Sequence, residues 1–248
     1  WLAIVASLGL FYVFYRHESR VDQPIIDLKL VTKHPYAVVN LHNFIFGACV
    51  WGCFSFVPYY AAVQYGMGPL ESGAIMTPRS ITAILLGTTT SFMLVRLGYR
   101  LPIVVGLAII AIANVILGQG WAGIEVGPIV IAPFFLLALN VGLAGVGSGM
   151  VMPASNNAIL DMMPERAGVI SAMRGMFRST GGIIGTAVIV VMLELNQDKA
   201  AGLRTMFTAY GLLLLVAIPL TFLIPEMARA GRRAESHAGG AAPRPRPP

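Results

Sequence analysis

Apolar residues gather along this chain into long runs separated by short polar stretches, without strict alternation of apolar and polar positions. After an opening run at residues 1–15, six more lie near residues 37–60, 71–95, 101–120, 128–152, 168–193 and 205–224. Each of the six has roughly 20 or more residues, enough to cross ~30 Å of hydrocarbon as a helix. Barrel strands would be ~10 residues of alternating polarity, which these runs are not. The pattern predicts an all-α, polytopic membrane helix bundle. The opening run is short of the ~20 residues a span needs and reads as a truncated transmembrane helix whose beginning is missing. Residues 16–36 read as a cytoplasmic linker, 37–225 as a six-helix transmembrane bundle and 226–248 as a disordered cytoplasmic tail.

Composition supports a lipid bilayer as the main partner. Hydrophobic residues make up 56% and charged residues 11%, against about 25% charged in a soluble domain. The net charge of +6 would suggest nucleic acid in a soluble protein. Here the positive residues fall between apolar runs, so the membrane reading takes precedence. All of the 17 Lys and Arg except Arg79, Lys199 and Arg204 fall on one alternating set of sides. The positive-inside bias makes that side cytoplasmic and puts the C-terminus there, in a multi-pass protein of the plasma membrane, of the bacterial inner-membrane type.

An ionisable residue inside a span is a functional candidate by default. Arg79 follows Pro78, about eight residues into the run 71–95. Arg79, Thr82, Leu86 and Thr89 share one helical face. That face suits a water-filled cavity, and Pro78 would let the helix bend. Alternatively, Arg79 is a structural residue tied to a carbonyl or snorkelling to headgroups. Arg178 lies about ten residues into the run 168–193, as a substrate contact or a structural tie. Asn43, with Asn40, Gly47 and Trp51, makes a face of mixed polarity, and Asn140 is mid-span. Each can line a cavity or bond a neighbouring helix. The candidate substrate-binding set is Arg79, Asn43, Asn140, Thr82 and Arg178. Gly145 and Gly149, and Gly181 and Gly185, form small-xxx-small pairs that let backbones approach closely. Cys49 and Cys53, four apart in an apolar run, read as small buried hydrophobes. No catalytic motif, phosphate-cradling loop or metal-ligand spacing stands out, so neither enzyme activity, a cofactor nor a metal is expected.

The order of several segments resembles one family. ESRVDQPIIDLKL is similar to the linker before the ninth span of fourteen-span drug:proton antiporters of the major facilitator superfamily. VPYYAAVQYG and GPLESGAIMTPRS resemble that family's next outer loop and helix, and MPERAGVISAMRGMFRSTGGIIGTA its penultimate helix entry. SFMLVRLGYR matches a family turn at Arg96, Gly98 and Arg100, but has Ser91, Phe92 and Val95 where Gly, Arg and Asp are usual. Asp161 or Glu165 could substitute for the missing acid.

The resemblance implies the C-terminal six-helix half of a major facilitator fold, working by alternating access. It implies proton-coupled efflux of drugs or other hydrophobic or cationic compounds. The partners would then be a small-molecule substrate, protons and the missing N-terminal half of the same transporter, which would carry the proton-binding carboxylate. Two alternatives stay open. One is a transporter of a narrow anionic substrate, which Arg79 would suit. The other is a non-transporting membrane scaffold, which predicts no cavity.

Overall fold

A computed structural model describes residues 2–18, 20, 36–121, 124–126, 129–160 and 167–223. The linker 21–35, the stretch with Asp161 and Glu165, and the tail from residue 224 lie outside the described residues. Among the described residues the chain is almost wholly helical. Helix α1 (Leu2–Glu18) leaves its described side chains exposed, with Phe11 at 67% and Leu10 at 71%.

Helix α2 (Tyr36–Phe46) runs into a π-helical turn at Gly47–Gly52, and after a bend the chain continues as α3 (Val57–Tyr65). Pro58 is at the start of α3, where its missing N–H costs nothing, and left-handed Gly66 closes the helix. The next stretch is α4 (Pro69–Ala74) and α5 (Thr77–Leu97). The run is interrupted at Ile75–Met76, just before Pro78, which lies in the first turn of α5. Ile75 and Met76 keep right-handed helical dihedrals, so the ladder breaks locally and the chain carries on from α4 into α5, as Pro78 led one to expect.

Helix α6 (Arg100–Gly118) leads to a short antiparallel hairpin, β1 (Ile124–Val126) with β2 (Ile129–Ile131). The following helix, α7, therefore spans Pro133–Leu160 and not residues 128–152. It passes through Pro153, as membrane helices tolerate when neighbours meet the freed groups. Helices α8 (Ala167–Leu195) and α9 (Lys199–Phe222) complete the bundle. Helix α9 begins six residues before the expected position, because Asp198 caps it by accepting the Ala201 N–H at 3.0 Å. Lys199 Nζ donates to the Leu193 carbonyl at the end of α8, so the turn is tight and polar groups are spent within it.

Among the described residues five stretches are long and apolar enough to cross a membrane: Tyr36–Tyr65, Arg100–Gly118, Pro133–Ala158, Ala167–Leu195 and Lys199–Phe222. Helix α5, at 21 residues, would extend about 30 Å at 1.5 Å per residue. The main packing runs α5 to α7, α7 to α6 and α6 to α9, while α2 and its π turn pack on α8. Tyr60, Phe207, Ile110 and Leu214 are fully buried in the centre. Ile183, Val191 and Leu195 of α8 and Val216 of α9 stay exposed, an apolar exterior suited to lipid.

Glycines set the closest approaches. A methyl built on Gly185 would lie 2.7 Å from the Ala48 Cα, and one on Gly181 would lie 3.0 Å from the Phe44 Cα. On the other wall, a methyl on Gly145 would lie 2.8 Å from the Arg79 Cα, and one on Gly149 2.9 Å from the Gly87 nitrogen. The Gly-xxx-Gly pairs in the sequence are therefore real backbone seams. Gly185→Ala is expected to cost about 1–3 kcal/mol by forcing α8 from α2. Gly175→Ala, with nothing within 4 Å, is expected to be neutral or to stabilise by up to about 1 kcal/mol. Thermal denaturation of both variants in detergent checks the contrast.

Candidate functional site

The two glycine seams leave a groove between them. The wall made by α2 and its π turn supplies Phe46 and Trp51. The wall made by α5 and α7 supplies Arg79, Ser80, Ser148 and Met152. The groove encloses about 480 Å³. A smaller recess of about 250 Å³, lined by Trp51, Phe54, Ser55, Met76 and Arg79, adjoins it. Arg79 and Trp51 border both spaces.

Arg79 is in the first turn of α5, and its guanidinium carbon is 4.8 Å from the centre of the Phe54 ring. Its Nε is buried without a hydrogen-bond partner. A ring face attracts the cation but accepts no in-plane N–H, so the donor edge stays unspent. Arg178 makes a parallel arrangement on α8. Its guanidinium carbon is 4.8 Å from the centre of the Trp51 ring. One terminal nitrogen donates to the Met152 sulfur at 3.2 Å, a weak acceptor. Arg178 thus touches two residues that line the groove, and its Nε is also buried and unpaired. The π turn presents Trp51 here, and such turns often re-aim side chains at functional places.

The other three candidates lie outside this groove. The Thr82 hydroxyl approaches the Gly142 carbonyl of α7 and its own Pro78 carbonyl, both at 2.8 Å. It ties the α5–α7 seam. Asn43 is buried and donates to its own Val39 carbonyl at 2.8 Å. Asn140 donates to the Ala113 carbonyl of α6 at 3.1 Å. It borders a separate apolar pocket of about 220 Å³ with Tyr65, Leu117 and Trp121. Of the five candidates Arg79 lines the groove, Arg178 touches its lining residues Trp51 and Met152, and Asn43, Thr82 and Asn140 lie outside the lining.

Sequence reasoning did not single out Asn114, Arg174 or His42 as buried polar groups. Asn114 of α6 donates to the Cys49 carbonyl at 3.2 Å, and so meets an acceptor within the π turn. On α8, Arg174 is buried and gives one terminal nitrogen to Asn156 Oδ1 at 2.6 Å, while its other two nitrogens lack partners among the described residues. His42, 2% exposed, has both ring nitrogens unpaired, and Asn40 Nδ2 is unpaired too. The spacing of Arg174 and Arg178, one helical turn apart, was the available signal. Among the described residues no group of His, Cys, Asp and Glu could hold a metal.

Comparison with known proteins shows the family. The profile of the Major Facilitator Superfamily matches residues 39–247. A multidrug transporter protein of Bacillus subtilis, MdtP, is 26% identical over 199 residues, 80% of this chain and 35% of that protein. A multidrug resistance protein B homolog of Mycobacterium tuberculosis is 28% identical over 205 residues, 81% of this chain and 36% of that protein. The chain spans about a third of the length of these curated relatives. Among solved structures, the xylose transporter XylE from E. coli, in an inward open conformation, matches with a TM-score of 0.55 and 16% identity. That match covers 84% of this chain and 56% of XylE and is a likeness of fold.

Thr82→Val is expected to lower stability in detergent by about 1 kcal/mol through loss of the bond to Gly142. Thr82→Ser keeps the hydroxyl and is expected to lose less. Equal thermal losses in the two variants would show that the hydroxyl does not hold the seam.

Proposed function

Because the chain belongs to the Major Facilitator Superfamily, a family of transporters and not of enzymes, we propose that it forms one wall of the substrate path in a drug exporter. The observation that carries this reading is the groove of about 480 Å³ between the α2–α8 wall and the α5–α7 wall. Its mixed lining of Trp51, Phe46, Ser148 and Arg79 suits an amphiphilic small molecule. The multidrug names of the relatives supply the substrate class. A non-transporting scaffold would pack these helix faces against each other, so the open groove favours transport.

Residues 37–225 form the C-terminal bundle of a fourteen-span protein in this proposal, with the rich-charge side and the C-terminus cytoplasmic. The N-terminal half of the same polypeptide supplies the facing wall. The two halves rock about the substrate in alternating access. Proton entry drives export. Among the described residues no carboxylate lines the groove on this side, so the proton-carrying acid is assigned to the facing half in this proposal. Arg79 is the substrate contact on this wall, and Arg178 supports it through Trp51.

The test is ethidium efflux from cells expressing the full-length protein. Ala83→Trp, which fills the groove, is expected to slow efflux at least about tenfold at equal protein level, and a protonophore to stop it. Efflux that persists through the filled groove would place the path elsewhere. Efflux that survives the protonophore would remove the proton coupling.

A further inference from the structure

The groove carries a sign of charge that general drug export leaves unexplained. Arg79 lines it, and Arg178 touches two of its lining residues, Trp51 and Met152. Arg174 is one turn from Arg178, and among the described residues its hydrogen-bond partner is the neutral Asn156. Among the described residues no Asp or Glu lines the groove or its adjoining recess. Uncompensated cations in a low-dielectric cleft concentrate anions there.

The geometry also states which anion chemistry would fit. Arg79 lies over a ring face at 4.8 Å, and its buried Nε has no hydrogen-bond partner among the described residues. A guanidinium is a planar fork of donors that matches the two oxygens of a carboxylate. Trp51 is 43% exposed and lines the same groove as Arg79, offering a flat apolar surface there.

We propose that this groove selects organic anions: compounds with a carboxylate headgroup, bound at Arg79, on a flat apolar body laid against Trp51. The proposal rests on the reading of the groove as the substrate path and narrows its substrate class. A carboxylate side chain from the rest of the polypeptide could also meet Arg79. A space of about 480 Å³ exceeds what one side chain needs and matches a small molecule.

The experiment compares carboxyfluorescein and ethidium efflux by the full-length protein, as wild type and as Arg79→Gln, Arg178→Gln and Ser80→Asp. The expected result is a fall of at least about tenfold in the ratio of carboxyfluorescein to ethidium efflux for Arg79→Gln, since a charge-assisted bond is lost. A smaller fall is expected for Arg178→Gln. Ser80→Asp, which keeps Arg79 but adds a countercharge to the lining, is expected to lower the ratio as Arg79→Gln does. An unchanged ratio overturns the proposal, as does a wild type that moves ethidium alone. Parallel loss of both probes also overturns it, because Arg79 then pairs with a protein carboxylate. If the wild type exports neither probe, drug export fails as a reading. Binding of carboxyfluorescein to the purified full-length protein, followed by polarisation, then decides the anion site. Binding lost in Arg79→Gln supports it, and no binding by wild type overturns it.

Discussion

The arrangement depends on backbone contact through glycine. Between apolar helices in lipid there is no hydrophobic force to draw them together, so close van der Waals contact must hold them. Gly181 and Gly185 bring α8 onto α2 and its π turn, and Gly145 and Gly149 bring α7 onto α5. These same seams set both arginines. A methyl on Gly47 would overlap the Arg178 carbonyl, and one on Gly145 would press on the Arg79 backbone. Each arginine thus starts from a backbone position fixed by a glycine on the opposing helix.

A second layer of constraint comes from buried polar groups. Tyr60 donates to the Leu117 carbonyl at 3.2 Å, and Tyr210 to the Gly185 carbonyl at 2.8 Å. Asn114 meets the Cys49 carbonyl in the π turn, and Asn140 meets Ala113. These bonds cross from one helix to another and fix rotation where apolar packing alone would tolerate sliding. At a few other groups the balance reverses. Nitrogen donors on Arg79, Arg174, Arg178 and Asn40 are buried without acceptors. Such groups are costly in an interior and mark places where an acceptor is still to be supplied.

The candidate site was legible in part. Arg79 and Arg178 stood out because a charge inside an apolar run is conspicuous, whatever the fold. Thr82, Asn43 and Asn140 looked equivalent to them in sequence, since a mid-span polar residue can face a cavity or a neighbour. Only the helix neighbours separate these cases: Thr82 faces the Gly142 carbonyl, Asn140 faces Ala113, and Asn43 bonds back to Val39. Helix boundaries were similarly divided. Proline at residue 78 signalled an irregularity, but whether a bend or a break depends on what the turn before it packs against. The start of α9 moved to Lys199 because Asp198 found its capping geometry in a tight turn.

The long apolar runs, the low charge content and the Gly-xxx-Gly spacing by themselves determined a helical membrane protein with close seams. These are properties of transfer free energy and of helical periodicity, and both can be read one residue at a time. The resemblance of its motifs named the family that residues 39–247 match. The tertiary structure alone decided that Trp51 and Phe54 hold the two guanidiniums on ring faces. It alone decided that a groove remains between the two walls. Those outcomes depend on which helix faces meet across long sequence separations, and no local pattern encodes that choice.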